Sequence, residues 1–269
     1  MASLQLRVES VMDLNEIINL NRYQITASEF KKNSRQKFDK DGLLILTNFL
    51  TEKAIDAIYQ EGVDNQDKAY FCENWHNAYL MPPDPNYDDD HPRNKNIVSS
   101  KGCIADDQIP ENSVLRTVYN SQEFKEFLTE VLDEQTLFPY ADHMSSINLH
   151  YAKTGQELGW HFDNSSFAIT LMIQPAIDGG EFEYVRHVRD ADNREMNFDA
   201  TGDIISGKTK PNQLAQSAGA LVLFRGRNAI HRVTPNLGEE TRMLVVLAYN
   251  NQPGIALSET AAKTFYGRS

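Results

Sequence analysis

His161 and Asp163 stand one residue apart in Gly159-Trp160-His161-Phe162-Asp163, and they are answered by His231 in Ala229-Ile230-His231-Arg232-Val233 and then by Arg242. Two imidazoles and one carboxylate with facial positions left open form the ligand set that suits non-haem Fe(II) and O2 chemistry. Alone, His-x-Asp is a common pattern, so its meaning rests on context. Residues two apart in a strand face the same way, which would point His161 and Asp163 into a barrel and leave Phe162 outside. A third ligand must then come from another strand. Ile230-His231-Arg232-Val233 is a short β-type run following the apolar Ala220-Leu221-Val222-Leu223-Phe224. Arg242 opens the next apolar run, where its planar fork can hold a carboxylate through two parallel hydrogen bonds. That is a place for an organic acid.

The stretch from Ile147 to Arg242 resembles the Fe(II)/2-oxoglutarate-dependent oxygenase superfamily, whose pattern is His-x-Asp, a distal His and then an Arg. The resemblance implies that His161, Asp163 and His231 are the metal-binding and catalytic residues and that Arg242 anchors 2-oxoglutarate. Gly159-Trp160-His161-Phe162-Asp163-Asn164-Ser165, Gly179-Gly180-Glu181-Phe182-Glu183-Tyr184-Val185 and Leu223-Phe224-Arg225-Gly226 look more specifically like the branch of amino-acid hydroxylases, N-acyl amino-acid hydroxylases and radical lysine halogenases. Halogenases of that branch carry Gly where this chain has Asp163, so the resemblance implies a hydroxylating member. Its cofactors would be Fe(II), 2-oxoglutarate and O2, with ascorbate as reductant in vitro, and its products would include succinate and CO2. The substrate implied is a small carboxylate, a free or N-acylated amino acid. The lysine pocket of the branch is not matched: Leu158 precedes the metal pattern and Val245-Val246-Leu247 follows Arg242. Desaturation or ring closure at the same site, a cupin-type isomerase and a barrel kept as a binding module or sensor all remain open.

Further residues are candidates by position. Ser146-Ile147-Asn148-Leu149-His150-Tyr151-Ala152 alternates polar and apolar, so Asn148 and His150 are expected to line the cavity, Asn148 on the cofactor side and His150 as a hydrogen-bonding residue. Arg186, Arg189, Arg194, Arg225 and Arg227 cluster near the segments expected at the barrel mouth. From them Arg186 or Arg225 is expected to pair with a substrate carboxylate, and Arg93, with Lys95, to lie near the substrate. His76 and His91 lack a partner at ligand spacing.

The elements that must position these groups read as follows. Residues 1–37 form a polar lead with a helical piece at Ala27-Ser28-Glu29-Phe30-Lys31-Lys32. A strand runs through Leu43–Leu50, and Thr51 caps a helix carrying Ala54, Ile55 and Ile58. Residues 70–112 read as a long irregular segment, broken by proline at Met81-Pro82-Pro83-Asp84-Pro85 and suited to a lid. Ser121 begins a capping box before Phe124, Phe127, Leu128, Val131 and Leu132 at helical spacing. Phe167–Gln174 reads as a core strand, Gly179-Gly180 as a turn with φ > 0, residues 186–218 as a polar insertion over the mouth, and residues 251–269 as a closing tail. The fold expected is mainly β with flanking helices, and the resemblance makes the core a double-stranded β-helix, or jelly roll. The expected organisation is a single catalytic domain over 1–269, with a mostly helical scaffold and lid (1–145), the jelly-roll core (146–250) and the closing segment (251–269).

At 269 residues the chain can bury a sizeable core. Its net charge of −12 is uneven: residues 1–150 hold 14 basic and 25 acidic groups (−11), residues 151–269 hold 12 and 13 (−1). An acidic protein is a poor match for phosphate backbones, so no nucleic-acid partner is expected. No signal-peptide pattern and no long apolar run is found, so a cytoplasmic protein without a membrane partner is expected. A small molecule is the expected partner, with a homodimer admitted. Cys72 and Cys103 are expected to be free thiols.

Overall fold

The computed structural model describes residues 12–269, so residues 1–11 of the expected polar lead lie outside it. Its helices are α1 (Leu14–Ile17), α2 (Ser28–Asp41), α3 (Glu52–Asn65), α4 (Val114–Asn120), α5 (Gln122–Leu132), α6 (Phe198–Ile205) and α7 (Glu259–Tyr266). Its strands are β1 (Leu43–Leu46), β2 (Tyr70–His76), β3 (Ile97–Ile104), β4 (Ile147–Ala152), β5 (Leu158–His161), β6 (Ala168–Gln174), β7 (Phe182–Val185), β8 (Asn212–Leu214), β9 (Leu221–Phe224), β10 (Ile230–Val233) and β11 (Arg242–Leu247).

The last eight strands pair as nested antiparallel partners: β4 with β11, β5 with β10, β6 with β9 and β7 with β8. That nesting is the double-stranded β-helix. β11 also pairs with β6, and β10 with β7, so the strands form two facing layers. β3 joins them, pairing with β4 along one edge and meeting β5 at Ser99 and Leu158. β1 extends the first layer beyond β9, and β2 pairs with β3.

Helices back one layer because the strand parity puts its apolar residues there. Leu149, Tyr151, Met243, Val245, Leu221 and Leu223 face outward and share a buried cluster with Phe38, Phe49, Phe124 and Phe127. Caps mark where these helices start and stop. Ser121 accepts from the Phe124 amide (3.1 Å) to open α5, and Thr51 accepts from Ala54 (3.2 Å) to open α3. Gly42, with φ +63°, ends α2 in the left-handed conformation that a side chain would resist, and the chain turns at once into β1.

Several expectations change here. α2 runs on to Asp41, and β1 stops at Leu46, where Thr47 and Asn48 turn with Asn48 at φ 55°. Residues 70–112 are only partly irregular. β2 and β3 form a seven-pair antiparallel ladder, and the true loop is the proline-rich stretch between them. The first part, with five helices among the described residues, also supplies three strands to the sheet. Residues 186–218 likewise hold α6 and β8. Cys72 and Cys103 are free. Among the described residues no helix is long and apolar enough to cross a membrane.

Candidate metal centre

His161 is the last residue of β5, and Asp163 lies two residues beyond the strand. Two backbone bonds hold this exit extended: the Phe162 amide donates to the Ala78 carbonyl (2.8 Å), the Asp163 amide to the Gly226 carbonyl (3.1 Å). Phe162 turns outward and stacks on Tyr79, with ring centroids 5.4 Å apart. His231, on β10, is the register partner of His161. Nε2 of His161 lies 3.7 Å and Nε2 of His231 lies 3.5 Å from Oδ1 of Asp163. One ligand atom from each of the three falls within 4.8 Å of the others.

The second nitrogen of each imidazole is already committed. Nδ1 of His161 donates to the Gly159 carbonyl (2.8 Å) and Nδ1 of His231 to the Ala229 carbonyl (3.0 Å). That tautomer leaves both Nε2 lone pairs facing the carboxylate, the arrangement a divalent cation requires. Oδ2 of Asp163 is buried without a hydrogen-bond partner, a further acceptor with nothing to accept from. Burial, helped by His231, pushes His161 down to about 3. Burial pulls His231 the same way, but the Asp163 charge beside it outweighs that and the net direction is up. Asp163 is drawn down by His231, His161 and Arg189 against the upward push of burial. The donor set fits an iron ion.

Gly226 explains how the carboxylate fits. A Cβ there would lie 1.8 Å from Asp163 Oδ2 and 2.9 Å from Cε1 of His231, so only glycine allows this approach. Arg189 supports the same exit from β5. Its Nε donates to the Arg227 carbonyl (2.7 Å), its Nη2 to the Asp163 carbonyl (3.2 Å), and its guanidinium lies 4.2 Å over the Phe162 ring.

Arg242 opens β11 and is buried. Among the described residues it donates to Gln216 Oε1 (3.2 Å), while its Nε finds no partner. Burial lowers it to about 10, opposed by Glu181. A buried guanidinium with free donors is prepared for an anion. The remaining expected residues are placed elsewhere. Arg225 binds Asp39 (2.6 Å) over the Phe38 ring, and Arg186 binds Asp41, so both heads turn to α2 and not to the triad. Arg93 is buried, donating to the Pro82 carbonyl (2.9 Å) with its Nη1 unpartnered. Asn148, expected on the cofactor side, instead spends its amide within the protein: it donates to the Met144 and Ile147 carbonyls and accepts from Tyr266 of α7 (3.0 Å). Two surface grooves between α2 and α5, lined by Lys31, Arg35 and Glu130 among others, contain none of the triad.

His76 has no partner at ligand spacing in the sequence, yet its ring stands 6.2 Å from that of His161. Its Nε2 meets Ser99 Oγ (2.7 Å), which accepts from the Gly159 amide (2.9 Å), the same peptide segment whose carbonyl orients His161. No local pattern announces this, because β2 and β3 are remote in sequence from the metal pattern.

A family model described as Halogenase D, HalD, matches residues 26–264. The chain belongs to the Halogenase D family. With its converging triad, this Halogenase D member is an Fe(II)- and 2-oxoglutarate-dependent oxygenase. Among solved structures, it is similar to a 2OG-Fe(II) oxygenase family oxidoreductase from Burkholderia pseudomallei (13% identity, 84% of this chain and 92% of that one, TM-score 0.53). It is also similar to a prolyl hydroxylase from Trichoplax adhaerens (12%, 83% and 90%, 0.55) and to the epimerase SnoN, solved with Fe3+ and alpha ketoglutarate (10%, 83% and 84%, 0.57). At these identities the likeness is one of fold. No curated protein matches the sequence.

Proposed function

We propose that this Halogenase D member hydroxylates an unactivated C–H bond of a small carboxylate substrate, a free or N-acylated amino acid, and releases succinate and CO2. The observation that carries the reading is Asp163 in the donor set. In the resemblance read from the sequence, halogenating relatives have Gly at that position, which opens a place for halide. Here a carboxylate occupies it, seated against Gly226. His161, Asp163 and His231 would hold iron, and Arg242 would hold the distal carboxylate of 2-oxoglutarate. Iron, when bound, supplies the chemistry that couples O2 and 2-oxoglutarate decarboxylation to C–H oxidation. The chain's own share is to present three oriented ligands, to fix the imidazole protons on backbone carbonyls and to keep water from a buried site.

The test is turnover with Fe(II), ascorbate, 2-oxoglutarate and chloride against a panel of free and N-acylated amino acids, followed by mass spectrometry. Succinate release with a product gaining one oxygen is expected. A product in which chlorine replaces hydrogen would overturn the reading, and a product lacking two hydrogens would redirect it to desaturation or ring closure.

A further inference from the structure

The register places one continuous inner wall. Directly opposed residues of an antiparallel pair share a face, so His76, Asn74 and Cys72 on β2 look the same way as Ile97, Ser99 and Lys101 on β3. His76 touches His161, so that way is inward. Cys103, two along from Lys101, opposes His150, and Leu244, two along from Arg242, opposes His150 from the other side. Lys101, His150 and Arg242 thus line the interior that the triad faces.

Lys101 is a cation on this wall without an anion. Its Nζ lies 3.4 and 3.3 Å from Nδ1 and Nε2 of His150, nearly equidistant, a geometry of stacking on the imidazole more than of one directed hydrogen bond. The Phe265 ring of the C-terminal helix stands 5.6 Å away on another side. Among the described residues it forms no salt bridge, and the inner faces of β2, β3 and β4 carry no carboxylate. Burial pulls the amine below its ordinary value and keeps His150 well below its own, so the imidazole stays neutral and adds no competing charge.

Charge decides what fits. With Fe(II), Asp163, a 2-oxoglutarate dianion and Arg242, the charges at the centre cancel, Arg189 beside Asp163 and Glu181 near Arg242 offset one another, and Lys101 remains. We infer that Lys101, braced by His150, is the anchor for the carboxylate of a monoanionic substrate, an N-acylated amino acid in preference to the free zwitterion. A free α-ammonium would find no carboxylate on that part of the wall, whereas an acyl amide carries no charge to balance. Half-buried Leu244 and Val246, on the same face, suit an aliphatic side chain. The inference rests on the proposed hydroxylase reading for its substrate class and supplies a contact that Arg186 and Arg225 do not make.

The experiment is calorimetric binding to the anaerobic protein loaded with Fe(II) and 2-oxoglutarate, using N-acetylated aliphatic L-amino acids, their carboxamides and the free amino acids. The acids are expected to bind on the order of tenfold more tightly than the amides or the free forms, as for one charge-assisted contact. Lys101→Met should erase that difference while leaving amide binding and the KM for 2-oxoglutarate unchanged, which also shows the variant is folded. Lys101→Arg should restore most of it. Equal binding of acid and amide by the wild-type protein, undiminished acid binding in Lys101→Met, or a raised KM for 2-oxoglutarate in its place would overturn the inference. Acid-selective binding without a product that gains oxygen would instead sink the hydroxylase reading and leave this anion site standing.

Discussion

Gly226 shows what one missing Cβ does for a metal site. Gly226→Ala places a carbon where Asp163 Oδ2 now sits, so the carboxylate must rotate away or the loop must move. The glycine has no positive φ, so the substitution brings no backbone penalty of its own and should leave the fold intact. The expected outcome is an iron affinity lowered at least tenfold, read by metal titration, with unchanged far-UV circular dichroism. His161→Ala and His231→Ala should abolish 2-oxoglutarate turnover; wild-type succinate release in either would refute the ligand set. Arg242→Lys keeps the charge and loses the fork, so the KM for 2-oxoglutarate should rise by the equivalent of roughly 1.5–3 kcal/mol. An unchanged KM would place the anchor elsewhere. The ligand residues could be read from the sequence because type and spacing are local properties, and the structure gathers His161, Asp163 and His231 within 4.8 Å. Gly226, His76, Ser99 and Arg189 could not, since each acts through a neighbour brought close only by folding. Arg186 and Arg225 misled for a related reason: an arginine near a site in sequence points wherever its partner lies, here to Asp41 and Asp39.

Elements whose hidden face is apolar were readable. α5, with Phe124, Phe127, Leu128, Val131 and Leu132 buried, β4, β6 and β11 appear close to where hydrophobic spacing puts them. The β2–β3 hairpin was not, because its inward face carries Asn74, His76, Ser99 and Lys101, and a strand that turns polar residues into a cavity loses the alternation that marks a half-buried strand. α7 was equally opaque in sequence. It packs its Ala262 and Tyr266 with Cys103, Ala105 and Met144, and the residue after its Gly267 cap, Arg268, grips Asp107 through both carboxylate oxygens. Arg268 holds Asp107 below the usual aspartate range. A depressed carboxylate stabilises the fold above its ordinary pKa of 3.8, and that contribution fades as pH falls through the lowered value. Asp107→Asn should therefore speed hydrogen exchange of α7 amides a few-fold at neutral pH, as befits a partly exposed pair. The wild-type protein should approach the mutant only below about pH 4. Equal exchange at neutral pH would show that packing alone retains the helix.

At the scale of the molecule, periodicity indicates short strands and flanking helices but not how the strands wind. The nested pairing from β4–β11 down to β7–β8 depends on contacts between distant segments, and it was the resemblance carried by His161, Asp163, His231 and Arg242 that pointed to the jelly roll. The same architecture separates stability from function. Phe38, Phe49, Phe124 and Phe127 lock the helices onto the outer face of one layer, while the triad lies on the inner side. Metal should therefore add to stability by binding the folded state without being needed to form it. At a hundredfold excess over Kd, such binding contributes about 2.7 kcal/mol. For a chain of this size that corresponds to a rise in Tm on the order of 5 °C. Anaerobic Fe(II) should raise the Tm of the wild-type protein by about that amount, and 2-oxoglutarate should raise it further through Arg242. His231→Ala should melt near the metal-free wild-type protein and gain nothing from Fe(II). A variant that fails to fold without metal, or wild-type protein that melts identically with and without it, would contradict a barrel held by its apolar layers and a centre held by His161, Asp163 and His231.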